Sequence, residues 1–192
     1  MRTSAYGVAL AAAMIFSAGA TATAATQDGN YVRAADPAYK VLVLLKYKGP
    51  GNAALRAGTY NASTGGGWGW NKVKKKHKIT KYSALEYVTK GPNREHQGGT
   101  TYRSHAYAGK YRCTNGRCTL IKQYKVYVAV NEKKLGDNRN RGVITAYCEG
   151  VTRCPAWVST TLSKLNAQSA GSEQFVPSYE PLTQQYRSAQ EI

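Results

Sequence analysis

The apolar positions change period along the chain, and the change divides it into elements. Tyr39 to Tyr47 enclose a continuous run, Val41-Leu42-Val43-Leu44-Leu45, that predicts a buried strand. Gly49 to Gly67 is rich in glycine and small residues and reads as loop, with one helical turn at Ala53 to Arg56. A helix is expected from about Trp68 to Lys78. Ser83 is placed to cap a second, with Ala84-Leu85-Glu86-Tyr87-Val88 as its body and Gly91-Pro92-Asn93 as its end. Asn93 to Gly99, with His96 inside it, reads as a polar loop.

The second half takes on the two-residue period of strands. Tyr102 to Tyr107 and Tyr111 to Cys113 lead into Asn115-Gly116, a strong hairpin signal because both residues tolerate the positive φ of a type I′ turn. On the returning strand, Cys118 to about Val130, Tyr124, Val126, Val128 and Val130 share one face while Lys125 and Tyr127 share the other. Gly136 to Asn140 is a turn. Gly142 to Cys148 forms the next strand, with Val143, Thr145 and Tyr147 on a common face. Pro155 opens a helix through about Leu165, with Trp157, Val158, Leu162 and Leu165 on its apolar side. Helices followed by an antiparallel meander predict an α+β fold, N-terminal helices packed on a twisted antiparallel β-sheet with a C-terminal helix.

The two ends differ from the body. Residues 1–24 read as a secretion signal peptide: Arg2, an apolar stretch from Tyr6 to Phe16, and the small-residue cleavage site Ala22-Thr23-Ala24. That stretch is too short for a permanent anchor, and no later segment approaches the roughly twenty apolar residues of a membrane span. A secreted, extracellular protein is expected, with a polar lead-in over 25–38 and a single α+β domain over 39–166. Residues 167–192 carry three glutamates, one arginine and two prolines, the composition of a polar, flexible tail.

Cysteine and charge narrow the chemistry. Four cysteines in an exported chain point to two disulfides. Of the three connectivities available, Cys113–Cys118 across the Asn-Gly turn and Cys148–Cys154 closing a short loop are expected. Neither pair has the internal spacing of a zinc site, and no metal or cofactor is expected. The net charge of +17, of which only Arg2 falls in the leader, favours RNA or another polyanion as partner.

The densest signal is Gly65-Gly66-Gly67-Trp68-Gly69-Trp70-Asn71-Lys72-Val73-Lys74-Lys75-Lys76-His77-Lys78, in which lysines surround a side chain that titrates near neutrality. The tryptophans suit either core packing or base stacking. Taken with Gly142-Val143-Ile144-Thr145-Ala146-Tyr147, the segment resembles secreted toxin ribonucleases of the barnase, EndoU, colicin and RelE group, over residues 66–148. Members of that group carry a glycine-aromatic helix ending in Lys-His and a late sheet strand of approximately this pattern. The resemblance implies metal-independent RNA cleavage, with an immunity protein as a further partner and the substrate held between helix and sheet. His77 matches the helix histidine, Thr145 the polar residue of the late strand, and Lys76 and Tyr147 the flanking positions. Cys148 stands where the group has a proline.

Attack of a ribose 2′-hydroxyl on the adjacent phosphate needs a base, cationic or hydrogen-bonding groups for the phosphorane, and a donor for the leaving oxygen. The catalytic candidates are therefore His77, Thr145, Arg103 and His105, the last two sharing a strand face. Lys74, Lys75, Lys76 and Tyr147 are the substrate-binding candidates. The competing expectation is a non-enzymatic cationic protein that binds nucleic acid, cell-wall polymer or an anionic membrane surface. An inhibitor presenting the Cys148–Cys154 loop is a third. No serine nucleophile elbow, P-loop, zinc-protease helix or dinucleotide fingerprint occurs.

Overall fold

The computed structural model describes residues 36–187; the segment expected to be a signal peptide, most of the expected polar lead-in and residues 188–192 lie outside them. After a 3₁₀ turn at Pro37–Tyr39, β1 (Val41–Lys46) and β2 (Asn52–Arg56) form an antiparallel pair. A short pair, β3 (Thr59–Tyr60) with β4 (Gly67–Trp68), leads into α1 (Gly69–His77) and α2 (Tyr82–Lys90). Then come β5 (Arg94–Gly98), β6 (Thr101–Thr114), β7 (Arg117–Lys134), β8 (Asn140–Cys148) and α3 (Ala156–Leu162). Three short strands close the order: β9 (Gln168–Ala170), β10 (Glu173–Ser178) and β11 (Gln185–Arg187).

The architecture is the expected α+β one. Helices pack on one face of a twisted antiparallel sheet whose backbone is the long β6–β7 hairpin, with β8 on the far side of β7. Ala106, Ala108, Val126, Val128, Val130, Val143 and Ala146 supply the sheet side of the core; Val73, Leu85, Val88, Val158 and Leu162 supply the helix side. Each fully buried valine or leucine contributes about 1.5–3 kcal/mol by leaving water. Among the described residues no helix is long and apolar enough to cross a membrane.

The Asn-Gly hairpin forms as the sequence predicts. Asn115 and Gly116 both have positive φ, Cys113 pairs with Cys118, and the two disulfides are Cys113–Cys118 and Cys148–Cys154.

Several elements differ from expectation. Ala53 to Arg56 is strand rather than helical turn, because Leu45, Ala53, Ala54 and Leu55 are all buried in β-pairing that a lone turn cannot provide. α2 begins at Tyr82, ahead of Ser83, and has no side-chain cap. Asn93 to Gly99 is mostly the edge strand β5, which is wholly exposed and so shows no hydrophobic period. Val143 does not share a face with Thr145 and Tyr147: an extra residue, Ile144, bulges β8 so that Thr145 pairs with Ala129 while Val143 pairs with Val130 and enters the core. α3 stops at Leu162, leaving Leu165 exposed.

The domain also runs past residue 166. β10 pairs with β6 from Glu173↔Arg112 to Ser178↔Tyr107, Phe175 packs on Trp157, and Tyr179 stacks on Tyr87. Beyond it the chain crosses the sheet. The bare Cα of Gly109 admits Leu182, whose Cδ1 would lie 2.1 Å from a Cβ at that position, and Tyr111 donates its hydroxyl to the Thr183 carbonyl at 2.8 Å. Two aromatic anchors and a glycine seat are enough to dock a segment whose overall composition is polar.

A buried guanidinium ties the β1–β2 pair to the start of β8. Arg56 donates to both carboxylate oxygens of Asp137 at 2.9 Å and to the carbonyls of Tyr39 and Asn140. Asn140 in turn receives Ala54 N–H and donates to the Asn52 carbonyl. Burial alone would raise the Asp137 pKa, but hydrogen bonds from Arg56 and the Arg139 amide outweigh it and hold the carboxyl below its usual 3.8. Asp137→Ala is expected to cost about 2–4 kcal/mol, less than the full penalty for breaking a buried pair because Asp137 remains 28% exposed. A depressed folded pKa stabilises above the unfolded value and is lost as pH falls through the folded one. Urea melts of wild type and variant should therefore differ at neutral pH and converge below about pH 4.

Candidate functional site

The sheet face opposite the core is polar. Strand alternation puts Arg103, His105 and Tyr107 of β6 on it, and the β6–β7 register sets Ala129, Tyr127 and Lys125 opposite them. β8 adds Thr145 opposite Ala129 and Tyr147 opposite Tyr127. Glu95 of β5 pairs with Arg103 at the other edge.

These residues surround Ala129, whose methyl makes a low point, here called the hollow, between longer side chains. Ala129 lies between Arg103 and Thr145, two strand spacings or roughly 10 Å apart in the backbone. Tyr127 walls one end, with the Arg103 guanidinium 4.5 Å from its ring centroid. Glu95 Oε2 receives Arg103 Nη2 at 3.0 Å, while its Oε1 lies 3.6 Å from His105 Nδ1, too long for a hydrogen bond. Arg103 Nε, His105 Nδ1 and Thr145 Oγ1 are each buried without a hydrogen-bond partner among the described residues. Leaving such groups unmatched costs about 1–3 kcal/mol each, and three of them converge on one patch.

His77 reaches this face from α1 at the β8 edge. The helix ends at Lys78 in the left-handed conformation, and the loop closed by Cys148–Cys154 holds the histidine on both sides. Cys154 N–H donates to the His77 carbonyl at 2.9 Å, and His77 Nδ1 lies 3.0 Å from the Thr152 carbonyl. A carbonyl only accepts, so Nδ1 carries the proton and Nε2 is left as the basic nitrogen. The ring sits 5.9 Å from Tyr147, which is 5.4 Å from Tyr127, itself 5.8 Å from His105. The two histidines thus end a row of four rings across the sheet, with two tyrosines between them. Arg103, His105, Thr145 and Tyr147 are brought together, and His77 stands one ring beyond.

The lysine run divides. Lys76 donates to the Gly65 carbonyl at 3.0 Å, and Lys74 and Lys75 are exposed. Val73 points into the core, and Lys75, roughly 200° further round the helix, points out. The cations that act on His77 are Lys76 and Lys72. Its pKa is lowered by burial first and by these two lysines after it, against the opposing hydrogen bond to Thr152.

Sequence reasoning passed over Glu95, because an all-exposed edge strand looks like a polar loop. It also passed over Glu149, which accepts the Tyr127 hydroxyl at 3.0 Å. Tyr127 and Lys125 were placed on the correct face by alternation but not linked to Arg103 and His105, since that needs the register. Among the described residues no three His, Cys, Asp or Glu side chains converge as metal ligands do. No family model, curated protein or solved structure matches the chain.

His105 titrates below its usual 6.5, first through burial and then through Lys125, with Glu95 pulling the other way. In an NMR pH titration, Lys125→Met should raise the His105 midpoint and Glu95→Gln should lower it further. Shifts of the opposite sign would mean that the ring does not lie between these two charges.

Proposed function

We propose that this is a secreted ribonuclease-like protein that cleaves RNA by general acid/base transesterification. The observation that carries the reading is the convergence of three unpartnered buried polar atoms, on Arg103, His105 and Thr145, around the Ala129 hollow beside Glu95 and Tyr147. A phosphodiester supplies what these atoms lack, once the side chains that cover them move aside: oxygens for Arg103 Nε and Thr145 Oγ1, and a ribose hydroxyl beside a histidine.

In this reading the phosphate occupies the hollow. Arg103 and Thr145 hold its non-bridging oxygens and stabilise the phosphorane. His105, kept neutral near pH 7 by burial and Lys125, removes the 2′-hydroxyl proton, and Glu95 stabilises the imidazolium that results. Tyr147, whose hydroxyl lies near the Arg103 guanidinium, stands across the hollow as donor to the leaving 5′-oxygen. His77 acts beyond Tyr147, orienting that ring and presenting Nε2 to the neighbouring part of the strand. These residues replace the helix-to-sheet placement that the family resemblance implies: the substrate lies on the open face of the sheet, with the helix end at its border. Secretion and an immunity protein remain part of the proposal on the strength of the leader and the resemblance.

The competing reading, a cationic binder without chemistry, rests on the exposed Lys74 and Lys75 and the net charge of +17. Cleavage of labelled RNA by the purified mature protein separates the two. His105→Ala should reduce kcat by about a hundredfold or more while preserving the circular-dichroism spectrum. His77→Ala should fall by less, and EDTA should leave the rate within twofold. Wild-type protein that binds RNA but never cuts it would favour the binder. A larger loss at His77 than at His105 would return the chemistry to the helix end.

A further inference from the structure

Past the hollow, at the open edge of β7, lies a cavity of about 290 Å³, lined by Tyr107, Lys122, Lys125, Glu149 and Gly150 among others. It opens where the sheet is incomplete. Among the described residues, β8 stops pairing at Val126↔Cys148, β11 pairs with β7 residues 117–119, and the stretch 121–124 between them has no strand partner on that edge. The volume is at the small end of the range for ligand sites.

Its chemistry suits an anion carried on a flat, stackable group. Among the described residues neither Lys122 nor Lys125 has a carboxylate within 4.0 Å, unlike Arg94, Arg103 and Lys110, which are all paired. Lys125 lies on the open face between Tyr107 and Tyr127, while Lys122 reaches over Tyr124 on the other face of β7. The lining carboxylate, Glu149, is already engaged by the Tyr127 hydroxyl. Tyr107 offers an aromatic ring with Lys125 Nζ 5.9 Å from its centroid.

The cavity is also in line with the hollow. Lys125 precedes Tyr127 by two residues on β7, and Ala129, the partner of Arg103, follows it by two. The cations therefore flank one ring from opposite sides along the strand, Arg103 at 4.5 Å and Lys125 at 5.0 Å from its centroid. Both are close enough to Tyr127 to serve successive phosphates of one chain, whereas a duplex could not place its stacked bases against Tyr107.

We propose, resting on the ribonuclease reading, that this cavity is a flanking-nucleotide subsite: Lys125 takes the phosphate next to the scissile one, Tyr107 stacks its base, and the substrate is single-stranded RNA of at least three nucleotides. The test is a length series. A dinucleoside monophosphate fills only the hollow, while trinucleoside diphosphates extended on the 5′ or the 3′ side carry the extra phosphate. For wild type, kcat/KM should rise by about tenfold for one of the two extensions, the scale of one charge-assisted phosphate contact. Lys125→Met should remove most of that ratio. Because the ratio is taken at one pH, any effect of Lys125 on His105 cancels. A ratio near one for both extensions in wild type, or a ratio kept by Lys125→Met, overturns the subsite.

A binding arm keeps the subsite and the enzymatic reading distinguishable. Anisotropy of 2′-deoxy oligonucleotides of the same lengths, which cannot be cleaved through a 2′-hydroxyl, is measured across a salt series. If wild type cleaves no RNA, the ribonuclease reading fails alone, and the subsite stands when Lys125→Met lowers the logarithmic salt slope by about 0.7 for the longer strands. An unchanged slope overturns the subsite whether or not RNA is cut.

Discussion

The polar face depends on a single extra residue in β7. Counted back from the disulfide pair Cys113↔Cys118, an unbroken hairpin would set His105 opposite Val126 and Arg103 opposite Val128. Directly opposed residues share a face, so either the valines would turn to solvent or the histidine and arginine would turn into the core. Ile121 bulges between Lys110↔Lys122 and Tyr111↔Leu120, shifting the register by one, and His105 meets Tyr127 instead. The bulged side chain is 48% exposed, which is the visible cost of reconciling a turn fixed by chemistry with a face fixed by hydrophobicity. The bulge at Ile144 does the same on the other side of β7, turning Val143 inward while Thr145 stays beside Ala129. The hollow exists because both of its outer strands are corrected relative to the central one.

That dependence explains which parts of the molecule were legible in its sequence. The Asn-Gly turn, the two disulfides and the alternation of β7 are local signals, and each can be read within a few residues. The α1 helix and the position of His77 at its end follow from local pattern too. Bulges are different, since nothing in Leu120-Ile121-Lys122 or Val143-Ile144-Thr145 marks the extra residue until the partner strand is known. Glu95 was hidden because an edge strand open to water on both faces has no period to detect. Residues 173–179 were hidden for the opposite reason. Phe175 and Tyr179 are too few to stand out in a polar tail, yet they find Trp157 and Tyr87 already in place. β2 misled through composition, because Ala53-Ala54-Leu55 is as compatible with a helical turn as with a strand until Val43, Leu44 and Leu45 are seen to pair with it.

The loop between the second pair of cysteines joins the helix to the sheet. Cys148 ends β8 and Cys154 precedes α3, so the bond closes a loop whose carbonyl at Thr152 and amide at Cys154 both contact His77. The last residue of α1 is thereby fixed to the same strand that carries Thr145 and Tyr147. A lysine-rich helix end left free would repel its neighbours in a chain of this charge. Here the favourable placement of cations in the last helical turn and the backbone contacts of the loop offset that repulsion.

Charge then acts on the site in two ways that pull together. The cations nearest the histidines, Lys125 and Arg103 at His105 and Lys76 and Lys72 at His77, add to burial in lowering the proton affinity of both rings. Both are therefore biased toward the neutral form that accepts a proton. On the proposed reading, a phosphate arriving beside them would neutralise part of the same positive field and raise the proton affinity of the adjacent histidine. The cations that would attract a polyanion would then hold the proposed base free beforehand and favour its protonation once RNA is bound. Lys74 and Lys75, on the outer side of α1, can contribute to the attraction but not to this coupling. The two effects of the +17 charge are therefore carried by different lysines.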